Sequence, residues 1–264
     1  MNTIWQKNRI RNGYNSITEI NKKHIDMLMD FGVLMLNNGK SYKISEKEKE
    51  VAVLLVTGDI ELTWNGKAVH ISRDSFLNER PWCLHVPKMT EIKISAEKKS
   101  EIIIQKTNND KHFESKLYTQ KECRSEIFGE GVLDETSNRT VRTIFDYNNA
   151  PYSNLVIGEV INHPGRWSSF PPHDHPQPEI YHYKFIQKQG FGVSIIEDEA
   201  FVVRNDDTVC ISPGTVHPQV TSPGYPMWYC WMIRHLDNDP FIDRYFRDEH
   251  KWLLDPNAKI WPEK

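Results

Sequence analysis

Along this chain, apolar residues alternate with polar ones over short runs far more often than they recur at helical spacing. The stretch "VAVLLVTGDIELTWNG" opens on a continuous apolar run, turns at Gly-Asp and continues in alternation. That pattern predicts a buried strand followed by a half-buried one. "EIKISAEKKSEIIIQK" predicts two short strands around a charged turn. "NLVIGEVI", "FGVSIIED", "AFVVRNDD", "TVCIS" and "MWYCWMI" are short, rich in β-branched or aromatic residues, and punctuated by Gly, Pro, Asn or Asp. Many short strands at this spacing predict an all-β sandwich or barrel. Helical spacing is confined to "KKHIDMLMDF" near the start and "DPFIDRYFRDEHKWLL" near the end. The second is expected as a short helix or an irregular arm packed on a barrel.

The middle of the chain, "KHFESKLYTQKECRSEIFGEGVLDETSNRT", is polar and poor in strand pattern. It reads as a connection between two β-rich halves, with a boundary near Gly129 that divides the chain into 1–128 and 129–264. The halves echo each other. "VTGDIELTWNGKAVHISRDSFLNERPWCLHVPKMTEIKI" runs glycine turn, strand, turn, strand, proline, strand, and "QGFGVSIIEDEAFVVRNDDTVCISPGTVHPQV" runs in the same order. In this alignment Pro87–Thr90 falls where the second half has "PGTVH", so only the second half carries a histidine there.

Composition narrows the setting. The chain has 264 residues, 38% hydrophobic and 26% charged, which suits a folded globular protein able to bury a core. A net charge of −3 favours neither nucleic acid nor an anionic membrane as partner. No run approaches the ~18 apolar residues of a membrane span, and "MNTIWQKNRIRNGYNS" has no apolar signal core. Cys83, Cys123, Cys210 and Cys230 are dispersed without a C-x-x-C pair, as expected for reduced thiols in the cytoplasm.

The candidate chemistry is concentrated in "SSFPPHDHPQPEIYHYKF". His173 and His175 are two residues apart, so on an extended segment both imidazoles point to one face. Glu179 begins "EIYHYKF", where alternation puts Glu179, Tyr181 and Tyr183 on one side and His182 and Lys184 on the other, with Lys184 expected in solvent. "ISPGTVHPQV" adds His217 after a Pro-Gly turn, with Gln219 in phase. Three imidazoles and one carboxylate suit a single divalent ion such as Zn, Mn, Fe, Ni or Co, with positions left open for a substrate. The first half has His24, His70, His85 and His112, none in H-x-H spacing, so the metal is expected in the second half only.

H-x-H, a following glutamate, a strand, a glycine turn and PG-x-x-H resemble the two motifs of the cupin superfamily. More narrowly, "RTV" at Arg139–Val141, "GRWSSFPPHDH" at Gly165–His175, "EIYHYKF", "QGFG", "SPGTVHP" and "PGYPMWY" resemble the 5-deoxy-glucuronate isomerase family of inositol breakdown. The 5-keto-4-deoxyuronate isomerase of pectin breakdown is a more distant likeness. The resemblance implies an all-β bicupin, with two small antiparallel barrels of jelly-roll type, few short helices, and metal in the C-terminal barrel alone. It implies His173, His175, Glu179 and His217 as metal ligands and Arg139 as partner of a substrate carboxylate, the alternative being an interdomain salt bridge. Tyr183 is the catalytic candidate, and Tyr181 and Gln219 are candidate substrate contacts. The activity implied is a metal-dependent aldose–ketose isomerisation of a small sugar acid, 5-deoxy-glucuronate to 2-deoxy-5-keto-gluconate, by a homo-oligomer. The rival readings are an iron-dependent dioxygenase on a related uronate and a non-catalytic sugar-binding cupin. The chain departs from the family pattern at Arg142, which stands where the family often has His, and in "CWMIRHLD", where Arg234 and His235 border the expected pocket mouth.

Overall fold

A computed structural model describes residues 5–262. The chain forms two compact units. One comprises Asn8–Arg124 and Thr143–Ile157; the other comprises the N-terminal segment through Lys7, Ser125–Arg142 and Gly158 onward. The division is therefore discontinuous: the chain passes into the second unit at Ser125 and returns to the first for Thr143–Ile157.

The first unit is built on a nine-stranded antiparallel sheet that curls on itself. Its spine is the long strand Lys49–Trp64. Up to Leu55 this strand lies between Trp82–Val86 and Ser100–Asn108; from Gly58 onward it pairs with Lys67–Arg73, and from Ile60 also with Glu91–Ala96. The exchange of partners occurs at a register shift between Leu55 and Thr57. Gly58 follows the shift at φ +124°, and a Cβ there would lie 2.2 Å from Ser100 Oγ, so the bend requires glycine. Val51, Val53, Leu55, Ile60, Leu62 and Trp64 alternate into one core with Leu84, Ile94 and Ile104. Apart from Trp64, the buried members of this core are aliphatic. His85, also fully buried, bonds Glu50 at 2.8 Å and stacks on Phe145 at 4.4 Å, which is a structural role.

"KKHIDMLMDF" is not a helix. It contains only a 3-10 turn, Ile25–Met27, bounded by His24 and Leu28 in left-handed conformation, and then enters the strand Asp30–Leu36. Every residue from Met29 to Leu34 is buried, so the apolar run marks a strand buried on both faces rather than one side of a helix.

The second unit contains the strands Trp5–Gln6, Thr208–Ile211, Glu179–Lys184 and Met227–Arg234 in neighbouring positions of a seven-stranded sheet. A four-stranded sheet orders Trp167–Ser168, Gln219–Thr221, Gly192–Ile196 and Glu199–Val203. Its core differs in kind from that of the first unit: Tyr181, Tyr183 and Tyr229 stand among Ile196, Val203 and Met227. The C-terminal segment is the irregular arm, with a two-residue strand Tyr245–Phe246 and a 3-10 turn Asp248–Leu254. All four cysteines are buried free thiols. No helix among the described residues is long and apolar enough to cross a membrane.

Candidate functional site

The strand Glu179–Lys184 is the floor of the site. It lies between Thr208–Ile211 and Met227–Arg234, with Glu179 opposite Ile211 and Ile233. Every residue from Glu179 to Lys184 is buried, so protein covers both faces of this strand. The expectation that Lys184 lies in solvent is thus corrected: it is 8% exposed and paired with Asp206 at 2.7 Å. His182, on the same face, bonds Thr208 Oγ1 at 3.0 Å.

The other face carries the chemistry. Nitrogen and oxygen atoms of His175, Glu179 and His217 converge within 4.8 Å of one another. His175 Nε2 stands 3.2 Å, and His217 Nε2 3.3 Å, from Glu179 Oε2. His173 is outside that set, but its ring lies 5.1 Å from that of His217, edge to face. All four side chains are buried. Burial pushes the Glu179 carboxyl up, yet the two imidazoles outweigh it and hold the group down at about 2. Burial, with His217 adding to it, lowers His173 to about 3, so its ring is neutral.

The donor set fits a divalent ion. His173 Nδ1 is 3.0 Å from Pro171 O, and His217 Nδ1 is 2.8 Å from Thr215 O. A carbonyl only accepts, so each Nδ1 carries a proton, and Nε2 is the nitrogen that each ring can offer to a metal. Backbone carbonyls orient metal-binding histidines in this way. His217 Nε2, in addition, is buried without an aligned hydrogen-bond partner. In the first unit Asp59, His70 and Glu97 also come close, but His70 and Glu97 are exposed and Lys98 already sits 3.6 Å from Asp59.

Tyr181 lies nearest the imidazoles among the expected phenols, its ring 5.8 Å from that of His217 and its hydroxyl 3.1 Å from Ser169 Oγ. Tyr183 is fully buried and donates to Gln219 Oε1 at 2.7 Å, while Gln219 Nε2 donates to His217 O at 2.8 Å. Gln219 thus couples Tyr183 to the backbone of His217. Burial raises both phenols well above their ordinary value. Arg139 is 8% exposed and donates to Ser137 O at 2.9 Å, with its guanidinium over Phe128. No carboxylate pairs with it among the described residues. Arg142, by contrast, is matched by Glu159 at 3.2 Å.

The sequence reading missed several residues that border this site. Tyr229 packs on Tyr181 at 4.5 Å, shares a 2.8 Å hydrogen bond with Ser168, and is an electrostatic neighbour of Arg139. Burial pushes it up to about 12. Phe241 and Phe246 of the arm lie edge-on to His175 and His173 at 4.9 and 5.7 Å. Parity from the Glu179 strand applies equally to Met227–Arg234, which would have put Tyr229 inside. Nothing local in the arm sequence marks its aromatic residues as walls of a site in another segment. A cavity of about 430 Å³ opens beside the same loops, lined by Pro172, Val216, Pro218 and His250 but by none of His173, His175 and His217.

Two jelly-roll units, with a buried imidazole–carboxylate cluster in the second, define a bicupin with a candidate metal centre. The chain belongs to the KduI/IolB family, whose model matches residues 4–253. The 5-deoxy-glucuronate isomerase of Bacillus subtilis strain 168 is 24% identical over 95% of this chain and 97% of its own length. That of Geobacillus kaustophilus is 25% identical over 85% of each chain. Among solved structures, an IolB-like protein from Salmonella typhimurium superposes with TM-score 0.87 at 22% identity, over 96% of this chain and 99% of its own. Lactobacillus farciminis oxalate decarboxylase superposes at 0.67 with 10% identity, over 94% and 90%, a likeness of fold alone. The chain is an isomerase of this family.

Proposed function

We propose that this isomerase interconverts the aldose and ketose forms of a sugar acid, 5-deoxy-glucuronate and 2-deoxy-5-keto-gluconate, with one divalent ion held by His173, His175, Glu179 and His217. The observation that carries the reading is the convergence of buried imidazoles on a buried carboxylate, with two rings pinned through Nδ1 by carbonyls. The relatives' names supply the substrate. When bound, the ion supplies Lewis acidity toward a carbonyl and its neighbouring hydroxyl.

The chain's own residues do the rest. Arg139 has no acid partner among the described residues and offers a planar fork to the substrate carboxylate. Tyr181 stays protonated because burial raises it, so it donates a hydrogen bond to oxygen that gains charge during the reaction rather than acting as base. Tyr183 acts through Gln219 as a positioning residue for the backbone of His217. The aromatic arm excludes water from the imidazole side. The net change moves a proton from C2 to C1 and a second from the C2 hydroxyl to the C1 oxygen, and leaves the molecular mass unchanged.

The test is NMR of metal-loaded protein with 5-deoxy-glucuronate under anaerobic conditions. Conversion to the ketose supports the reading. Unchanged substrate, or conversion that requires oxygen, would contradict it.

A further inference from the structure

The C-terminal arm is anchored to the site at several points. Its strand Tyr245–Phe246 pairs antiparallel with His173–Asp174, with His173 opposite Phe246. Arg247 N donates to Pro172 O at 3.0 Å, and Arg247 Nε meets Asp174 at 3.0 Å. Phe241 N donates to His235 Nδ1 at 2.9 Å, which fixes the start of the arm on the end of the strand Met227–Arg234. The arm is thus tied into the H-x-H segment itself.

Arg244 sits on this arm two residues before Phe246, and residues so spaced share a face of an extended segment. Phe246 turns that face to His173, with ring centres 5.7 Å apart, and the Arg244 guanidinium lies 5.7 Å from the centre of the Phe246 ring. No carboxylate pairs with the Arg244 side chain among the described residues. Asp243 accepts only its backbone N–H, at 2.8 Å. The charged neighbour has the wrong sign to satisfy it: Arg244 is an electrostatic neighbour of Arg139, and also of the neutral ring of His173. The two guanidiniums, one on a barrel strand and one on the arm, thus act on each other electrostatically, and neither has a carboxylate partner among the described residues. Like charges so placed repel, and an anion bound between them relieves the repulsion.

We propose that Arg244 is a substrate-binding residue that joins Arg139 in holding the carboxylate of the sugar acid, so that the arm sets the preference for acids over neutral sugars. This rests on the sugar-acid reading above. It orients the substrate with its carboxylate toward the arm and its carbonyl end toward the imidazoles. Arg139 supplies the buried, fixed half of the pair and Arg244 the exposed half.

The experiment is calorimetric titration of the metal-loaded full chain with glucuronate and, separately, glucose, for wild type, Arg244→Gln and Arg244→Lys. A charge-assisted hydrogen bond lost at Arg244→Gln weakens glucuronate binding on the order of ten- to a hundredfold. Glucose binding and metal content stay unchanged, and Arg244→Lys recovers part of the loss because the charge returns without the fork. Wild type that prefers glucuronate, together with Arg244→Gln that keeps the full preference, overturns the proposal while sparing the sugar-acid reading. Wild type without preference for glucuronate over glucose overturns that reading and the arginine pair with it.

Discussion

The two tyrosines of the Glu179 strand separate by what their hydroxyls touch. Both face inward on alternation, and no sequence rule distinguishes them. In the structure Tyr183 spends its proton on Gln219, while Tyr181 bonds Ser169 and stands beside His217. Tyr183→Phe leaves Gln219 Oε1 without its donor in a buried place, which costs about 1–3 kcal/mol of stability. Tyr181→Phe removes the hydroxyl proposed to donate to the substrate, so it should lower kcat and kcat/KM together with little change in stability. Urea denaturation and steady-state kinetics on both variants, at matched metal content, check this. A larger kinetic loss in Tyr183→Phe than in Tyr181→Phe would reverse the assignment. Lys184 shows the same limit of local reading. Parity placed it correctly opposite Glu179, but parity does not say whether the opposite face meets water or protein.

At the level of elements, most strands were legible where alternation met clear punctuation; the short strands Lys116–Tyr118 and Arg124–Phe128, inside the polar middle, were not, nor was the element read as a helix near the start. "KKHIDMLMDF" offered apolar residues compatible with either period. The left-handed residues at His24 and Leu28 that end its single turn are set by backbone context, not by a glycine or proline signal. The arm was legible as irregular, but its pairing with His173–Asp174 joins segments some seventy residues apart, beyond the reach of any local pattern. The long strand Lys49–Trp64 was read as two strands around Gly-Asp. The structure keeps it continuous and places the bend there instead. Gly58→Ala should therefore destabilise the first unit by more than about 1 kcal/mol, through the positive φ and the clash with Ser100. Gly39→Ala, at φ +71° with open space around it, carries only the conformational cost and should be milder. Chemical denaturation of the two variants ranks them, and equal effects would count against the Ser100 contact as the constraint.

For the whole molecule, the repeat in the sequence corresponds to two units whose interiors have diverged. The first is filled by Val, Leu and Ile and keeps His85 locked between Glu50 and Phe145. The second keeps tyrosines and histidines inside. The family was readable because H-x-H, Glu and PG-x-x-H are short motifs whose spacing survives translation into strands. The discontinuous course of the chain was not readable, because Thr143–Ile157 carries no compositional mark of the unit it joins. The central claim is that the buried cluster in the second unit is the metal centre of this isomerase. It is tested most directly by elemental analysis of purified wild type and His217→Ala. The account predicts about one divalent ion per chain in wild type and a sharp loss in the variant, since one of the four ligands is gone. Equal metal content in the two proteins would contradict it.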